Sequence, residues 1–212
     1  ATRERRLARE AAQQAMALDP FLAEAYATLG YVTVWEGTHA ESARLLQRGL
    51  QLNPNLANAP RYYSYILAGQ GRLDAALEES VRAMDLDPLA LANPLALARA
   101  LSHAQRYSEA LKFAEIALRL QVNDAPQGHW GRAEALWGLG RRSEAAEEAR
   151  VILRQEIRGQ GDTEAIWILH QAGFAAEAAA FGRELETKLA AGNYLRGFNL
   201  AAIGQNEAAF PL

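Results

Sequence analysis

"LDPFLAEAYATLGYVTVWEGTHAESARLLQRGLQLNP", residues 18–54, begins on Leu-Asp-Pro and closes on Leu-Asn-Pro. The tripeptide Leu-Asp-Pro returns at Leu86–Pro88, so Pro20, Pro54 and Pro88 follow one another at intervals of 34 residues. A fixed period of that length marks an array of repeated supersecondary units. Between the prolines, apolar and small residues recur at three and four places, the spacing of an amphipathic helix, and a glycine interrupts each unit near its middle. Each unit therefore reads as two helices. In the quoted unit, helix A is expected over about Ala23–Glu36 and helix B over about Ala40–Gln51, with Gly37 as the turn between them. Pro54 then stops helix B or opens the next helix A.

Small residues keep the same step. Ala8, Ser42, Ala76, Ala110, Ala145 and Ala178 stand 34, 34, 34, 35 and 33 residues apart, and Ala15, Gly49, Ala83 and Ala117 form a second series. Small side chains along one stripe let helix B approach its partner closely, and a bulky residue there overpacks the contact by about 1–3 kcal/mol. Alanine's helix propensity alone does not explain a fixed interval.

At Tyr26, Leu29, Gly30, Gly37, Ser42, Leu46, Gly49 and Pro54 the quoted unit resembles the tetratricopeptide repeat (TPR). The likeness is strongest over residues 5–124. Pro60 then stands where an aromatic is usual, the fourth unit lacks its closing proline, and Ile152 replaces a small residue. Gly159 and Gly161 mark a longer connection. The resemblance implies an all-α fold, a right-handed α–α superhelix of about five to six helix pairs with incomplete terminal repeats. One solenoid over residues 1–212 is expected: a half repeat 1–22, repeats 23–56, 57–90, 91–124, 126–158 and 159–189, and a partial repeat 190–212. An array that opens and closes in mid-repeat fits excision from a longer chain, or ends that meet something else.

Half of the residues are apolar, so a sizeable core can form. Net charge is −3, with zero over residues 1–106 and −3 over the remainder, which argues against a general nucleic-acid or anionic-membrane surface. Without cysteine there is no disulfide framework, thiolate zinc site or thiol nucleophile. No run of eighteen apolar residues occurs, so membrane insertion is not expected. The compartment is left open between cytoplasm, which is favoured, and periplasm.

No enzyme, cofactor or metal is expected. The Walker, nucleophile-elbow, zincin and dinucleotide-binding motifs are all missing. His39, His103, His129 and His170 fall one per unit and never at i, i+4, which does not make a metal site. His39 reads as a turn residue and the other three as helix A residues. The adjacent carboxylates Glu78–Glu79 and Glu147–Glu148 point about 100° apart on a helix, so they read as a solvated face of helix B.

In the family resembled, a face of helix A lines the concave side and contacts ligands. Carried over unit by unit, that face takes Tyr31 and Trp35; Asn58, Arg61 and Tyr65; Leu95, Arg99 and His103; Trp130, Glu134 and Trp137; and Thr163 and Trp167. All four tryptophans fall on it. Tryptophan, tyrosine and arginine dominate binding energy at protein interfaces, and arginine can hold a carboxylate through two hydrogen bonds. The Lys and Asn clamp by which some members hold chaperone tails is missing, because Ala27 and Tyr31 occupy its first places. The resemblance therefore implies a scaffold for a peptide or partner protein with apolar anchors and an acidic group. The third and fourth units are also similar to repeat regions attached to bacterial signalling and transcription regulators. Two alternatives stand beside this reading. One is a homo-oligomer built through the terminal repeats; the other is a helical-repeat binder of single-stranded RNA, which the acidic balance disfavours.

Overall fold

The computed structural model describes residues 3–34, 37–120, 126–155 and 160–188. Among these residues the chain is built from α-helices alone: α1 (Arg3–Leu18), α2 (Ala23–Val34), α3 (His39–Leu52), α4 (Ala59–Gly69), α5 (Leu73–Leu86), α6 (Ala92–His103), α7 (Tyr107–Leu120), α8 (Pro126–Gly138), α9 (Arg142–Leu153), α10 (Gln160–Gln171) and α11 (Ala175–Lys188). They divide into two compact units, residues 1–104 and 105–212. Within each unit consecutive helices pack on one another, among them the expected pairs α2–α3, α4–α5, α8–α9 and α10–α11. The expectations for Trp35, Gly159 and the partial repeat 190–212 lie outside the described residues.

The tripeptide that sets the period is a turn device. The Asp19 carboxylate accepts the Phe21 N–H at 2.9 Å, the Asn53 side-chain carbonyl accepts the Asn55 N–H at 3.0 Å, and Asp87 accepts the Ala90 N–H at 3.0 Å. Proline in the next position has no N–H to offer, so the side-chain acceptor reaches past it and bends the chain toward the next helix A. Pro60 fits for a related reason. It sits in the first turn of α4, where a missing N–H leaves no helical bond unmade.

The turn from helix A to helix B is equally regular. Gly37, Gly71, Gly140 and Gly173 have φ of 78°, 74°, 74° and 96°. The next residue donates back across each turn, as from the Arg72 N–H to the Leu67 carbonyl at 2.9 Å and the Arg141 N–H to the Leu136 carbonyl at 3.0 Å. This is the left-handed glycine cap that satisfies the last helical carbonyls. In the fourth repeat Gln105 takes the same place, with φ of 58° and a side chain that disfavours it. Gln105→Gly is expected to raise stability by about 1 kcal/mol, the cost of holding a non-glycine residue there, read from urea midpoints.

The small residues of the stripe lie in the helix-packing surfaces. Ser42, Ala76, Ala110, Ala145 and Ala178 are all buried, as are Gly49, Ala83 and Ala117 of the second series. Gly30 is tighter still: a Cβ there would lie 2.7 Å from Leu46 Cγ and 3.3 Å from its backbone nitrogen. The Ser42 hydroxyl donates to the Gly30 carbonyl at 2.6 Å, so the close approach also satisfies a buried hydroxyl.

In residues 1–104 the core gathers Leu46, Leu56, Tyr63, Ile66 and Leu67 around the alanines of the seam. In residues 105–212 it gathers Leu136, Ile152, Leu153, Ile166 and Leu169. Ile152, which stands where a small residue was expected, is buried in that second core among Leu136, Leu153, Ile166 and the alanines of the seam. His39, expected in the turn, is the first residue of α3.

Candidate partner-binding site

Of the residues assigned to the helix A face, Tyr31, Asn58, Tyr65, Arg99 and His103 line two cavities in residues 1–104, whereas Leu95 is half-buried on α6 and lines neither. Tyr31 of α2 meets Tyr62 of α4 with ring centroids 4.3 Å apart, and the Arg61 guanidinium lies 4.1 Å from the centre of the Tyr62 ring. All three side chains are half-buried. Arg61 Nε is buried and makes no hydrogen bond, so the π-face of Tyr62 is the visible partner of that charge. Beside the stack opens a cavity of about 430 Å³ whose wall includes Glu24, Thr28, Tyr31, Asn53, Asn58 and Tyr62. Asn58 lies at its edge, at the start of α4.

Tyr62 was not among the residues read from the sequence, although the signal was there. Asn58, Arg61, Tyr62 and Tyr65 stand at i, i+3, i+4 and i+7 and so share one stripe of α4.

A second cavity, of about 170 Å³, lies between α4 and α6 and brings together Tyr65, Arg99 and His103. Half-burial, and then the charge of Arg99, push the His103 imidazole below its usual pKa. The sign follows directly: between the ordinary and the lowered value the unfolded chain binds more protons than the folded one. The stability that neutral His103 contributes is complete above the ordinary imidazole pKa and is lost as pH falls toward the lowered one. His103→Gln is therefore expected to flatten the decline in urea midpoint between about pH 7 and pH 5.5, a window set by the ordinary imidazole value.

In residues 105–212 the tryptophans form a second group. Trp137 of α8 and Trp167 of α10 meet edge to face with centroids 5.0 Å apart, and the Arg142 guanidinium lies 3.4 Å from the centre of the Trp137 ring. Trp167 is 40% exposed, whereas Trp130 and Trp137 are partly buried against the second core. Glu134 is half-buried on α8, and Thr163, assigned to the same face, is buried. Arg142 lies beyond the turn on α9, and no repeat spacing pointed to it.

Two carboxylates depart from expectation. Glu79, read with Glu78 as a solvated face, is half-buried on α5 with its side chain 21% exposed, and burial pushes its carboxyl above the usual range. Glu148, read as part of a solvated face, is buried on α9: its Oε2 lies 2.7 Å from His129 Nδ1, and its Oε1 accepts from Arg132 Nη1 at 2.8 Å, both on α8. Glu147 points outward and pairs with Arg150 at 2.6 Å. The divergence of adjacent residues on a helix holds. What the sequence alone left open is that one of the two faces meets α8.

Among the described residues no group of three or more His, Cys, Asp or Glu could hold a metal ion, and no helix is long and apolar enough to cross a membrane.

No family model matches the chain, and no curated protein does. Solved structures do. A thermophilic TPR protein of Thermus thermophilus superposes with a TM-score of 0.76 at 19% identity, over 85% of this chain and 98% of its own. PilW, a widely conserved type IV pilus biogenesis factor, gives 0.73 at 17% identity, over 94% of this chain and 90% of its own. PilF of Pseudomonas aeruginosa gives 0.65 at 17% identity, over 88% and 94%. The fold is that of the TPR solenoids.

Proposed function

We propose that the chain is a protein-interaction scaffold whose helix A faces hold an extended peptide or partner helix with apolar anchors and an acidic group. The observation that carries this reading is the Tyr31–Tyr62–Arg61 stack beside an open cavity. Rings that are already packed lose little entropy on binding, and they offer flat apolar surface next to a cation. Trp137, Trp167 and Arg142 repeat that combination in residues 105–212. The likeness to a pilus biogenesis factor supports a place in a bacterial assembly or signalling protein.

The reading is tested by selecting peptides from a random display library on the intact chain and measuring the affinity of the best binder. The triple variant Tyr31→Ala, Arg61→Gln, Tyr65→Ala is expected to weaken it by at least about 3 kcal/mol, roughly a hundredfold, since truncated interface aromatics and arginines cost about 1–2 kcal/mol or more each. Helicity should be unchanged. Undiminished affinity in the triple variant would remove the groove from the account.

A second reading, self-association, is favoured by the exposure of Leu18 and Phe21, 88% and 70%, at the end of α1 and in the turn that follows it. Light scattering across a dilution series decides it: a constant monomer mass excludes assembly through that patch.

A further inference from the structure

Residues 1–106 carry no net charge, yet the B helices among them sort their charges by helix. α1 and α3 hold six arginines against three carboxylates, whereas α5 holds four carboxylates against one arginine. Exposed apolar side chains follow the same division. Among the described residues of this unit the large ones are Leu7, Leu18 and Phe21, on α1 and the turn after it, and Val81, Leu89 and Leu91, on α5 and the turn after it.

A cavity of about 480 Å³ opens where α1, α2 and α3 meet. Its floor is Met16, Tyr26 and Leu45, which pack with Ala12 and Leu29. Arg44 and Arg48, at i, i+4 on α3, are exposed at its rim beside Gln47. Among the described residues no carboxylate lines it. The Tyr26 hydroxyl donates to the Pro20 carbonyl at 3.0 Å, which joins the cavity to the turn that bears Phe21. The outer stripe of α5 is its complement. Asp74, Glu78, Val81 and Asp85 are exposed at i, i+4, i+7 and i+11, so an apolar side chain stands between acidic neighbours.

We propose that a second copy of this chain occupies the cavity. The outer stripe of α5 of one copy lies along α3 of the other, with Val81 over Met16, Tyr26 and Leu45 and with Glu78 and Asp85 beside Arg44 and Arg48. The inference rests on the self-association reading above and names the two surfaces that meet. Because α3 and α5 are both B helices, a twofold axis lets each copy give and receive the same contact, as a closed dimer requires. A helix laid in such a groove buries its apolar anchor, and the opposed charges set its register and disfavour like-charged pairings. The second copy brings that complement without any other component. The contact uses none of Tyr31, Arg61 and Tyr62, so the aromatic stack stays open to a peptide.

Sedimentation equilibrium of the full chain across a dilution series tests the pairing. The wild-type chain is expected to double its mass as concentration rises, and the dissociation constant should weaken at least about tenfold between about 0.05 M and about 0.5 M sodium chloride, because exposed charges are screened. The double variants Arg44→Glu with Arg48→Glu, and Glu78→Arg with Asp85→Arg, should each pair at least about tenfold more weakly than wild type, with helicity unchanged, since all four positions are exposed. An equimolar mixture of the two should recover pairing, because each contact then again joins opposite charges. A wild-type chain that stays monomeric overturns both this proposal and the self-association reading. A dimer that neither salt nor either double variant weakens overturns the proposal and leaves self-association standing through another surface. Weakening without recovery in the mixture also overturns it, since α5 is then not what fills the cavity.

Discussion

Glu148→Ala lowers the stability of the chain by about 3 kcal/mol in urea unfolding, while Glu147→Ala, one residue away, changes it by less than about 0.5 kcal/mol. Glu148 is 8% exposed and bridges two basic side chains of α8, so its removal leaves Arg132 and His129 facing a site from which water is largely excluded. Breaking a buried pair by deleting one partner costs about 3–5 kcal/mol, and the lower end applies because the Arg132 side chain is itself one-third exposed and can turn toward solvent. The Glu147 side chain is 70% exposed, and its pair with Arg150 is worth little. Glu148→Gln keeps an acceptor for Arg132 and should fall between the two. A Glu148→Ala variant as stable as Glu147→Ala would show that the α8–α9 contact does not depend on this carboxylate.

Leu46→Ala should cost about 2–5 kcal/mol, the range for emptying a fully packed aliphatic site. Leu46 is completely buried, and its Cγ occupies the space that a Cβ on Gly30 would enter. The pair therefore allows a sharper test than either residue alone. Gly30→Ala by itself should cost about 1–3 kcal/mol through overpacking, because the Leu46 backbone nitrogen as well as its side chain is in the way. In the double variant the added methyl enters the space that the shortened side chain vacates. The two costs should then fall short of additivity by about 1 kcal/mol or more, measured as a double-mutant cycle. Strict additivity would mean that α2 and α3 do not meet through these two residues.

These tests concern features that were not equally visible in the sequence. The helix pairs were legible because three backbone devices recur at a fixed step: an Asp or Asn before proline that turns the chain, a glycine with positive φ, and a small residue at the seam. Each answers a local requirement, and local requirements leave a residue type behind. The cavity residues Tyr65, Arg99 and His103 were legible for a related reason, since helical spacing puts them on one face of successive A helices. Glu148 was not. Its burial depends on where α8 lies, and an adjacent carboxylate pair looks the same whichever of its two faces meets a neighbour. Arg142 was hidden because its partner ring lies across a turn, beyond the reach of a single helix's period. Gln105 occupies a glycine's place without being one, so only its φ reveals it.

In the proposed scaffold a partner docks on helix A faces and not on helix B faces. A crystal structure of the chain bound to its tightest display-selected peptide tests this most directly. Peptide side chains are expected against Tyr31, Tyr62 and Arg61, with one reaching the cavity of Tyr65, Arg99 and His103. A peptide seated on the outer surfaces of α3 and α5, with those rings and that cavity untouched, would contradict it.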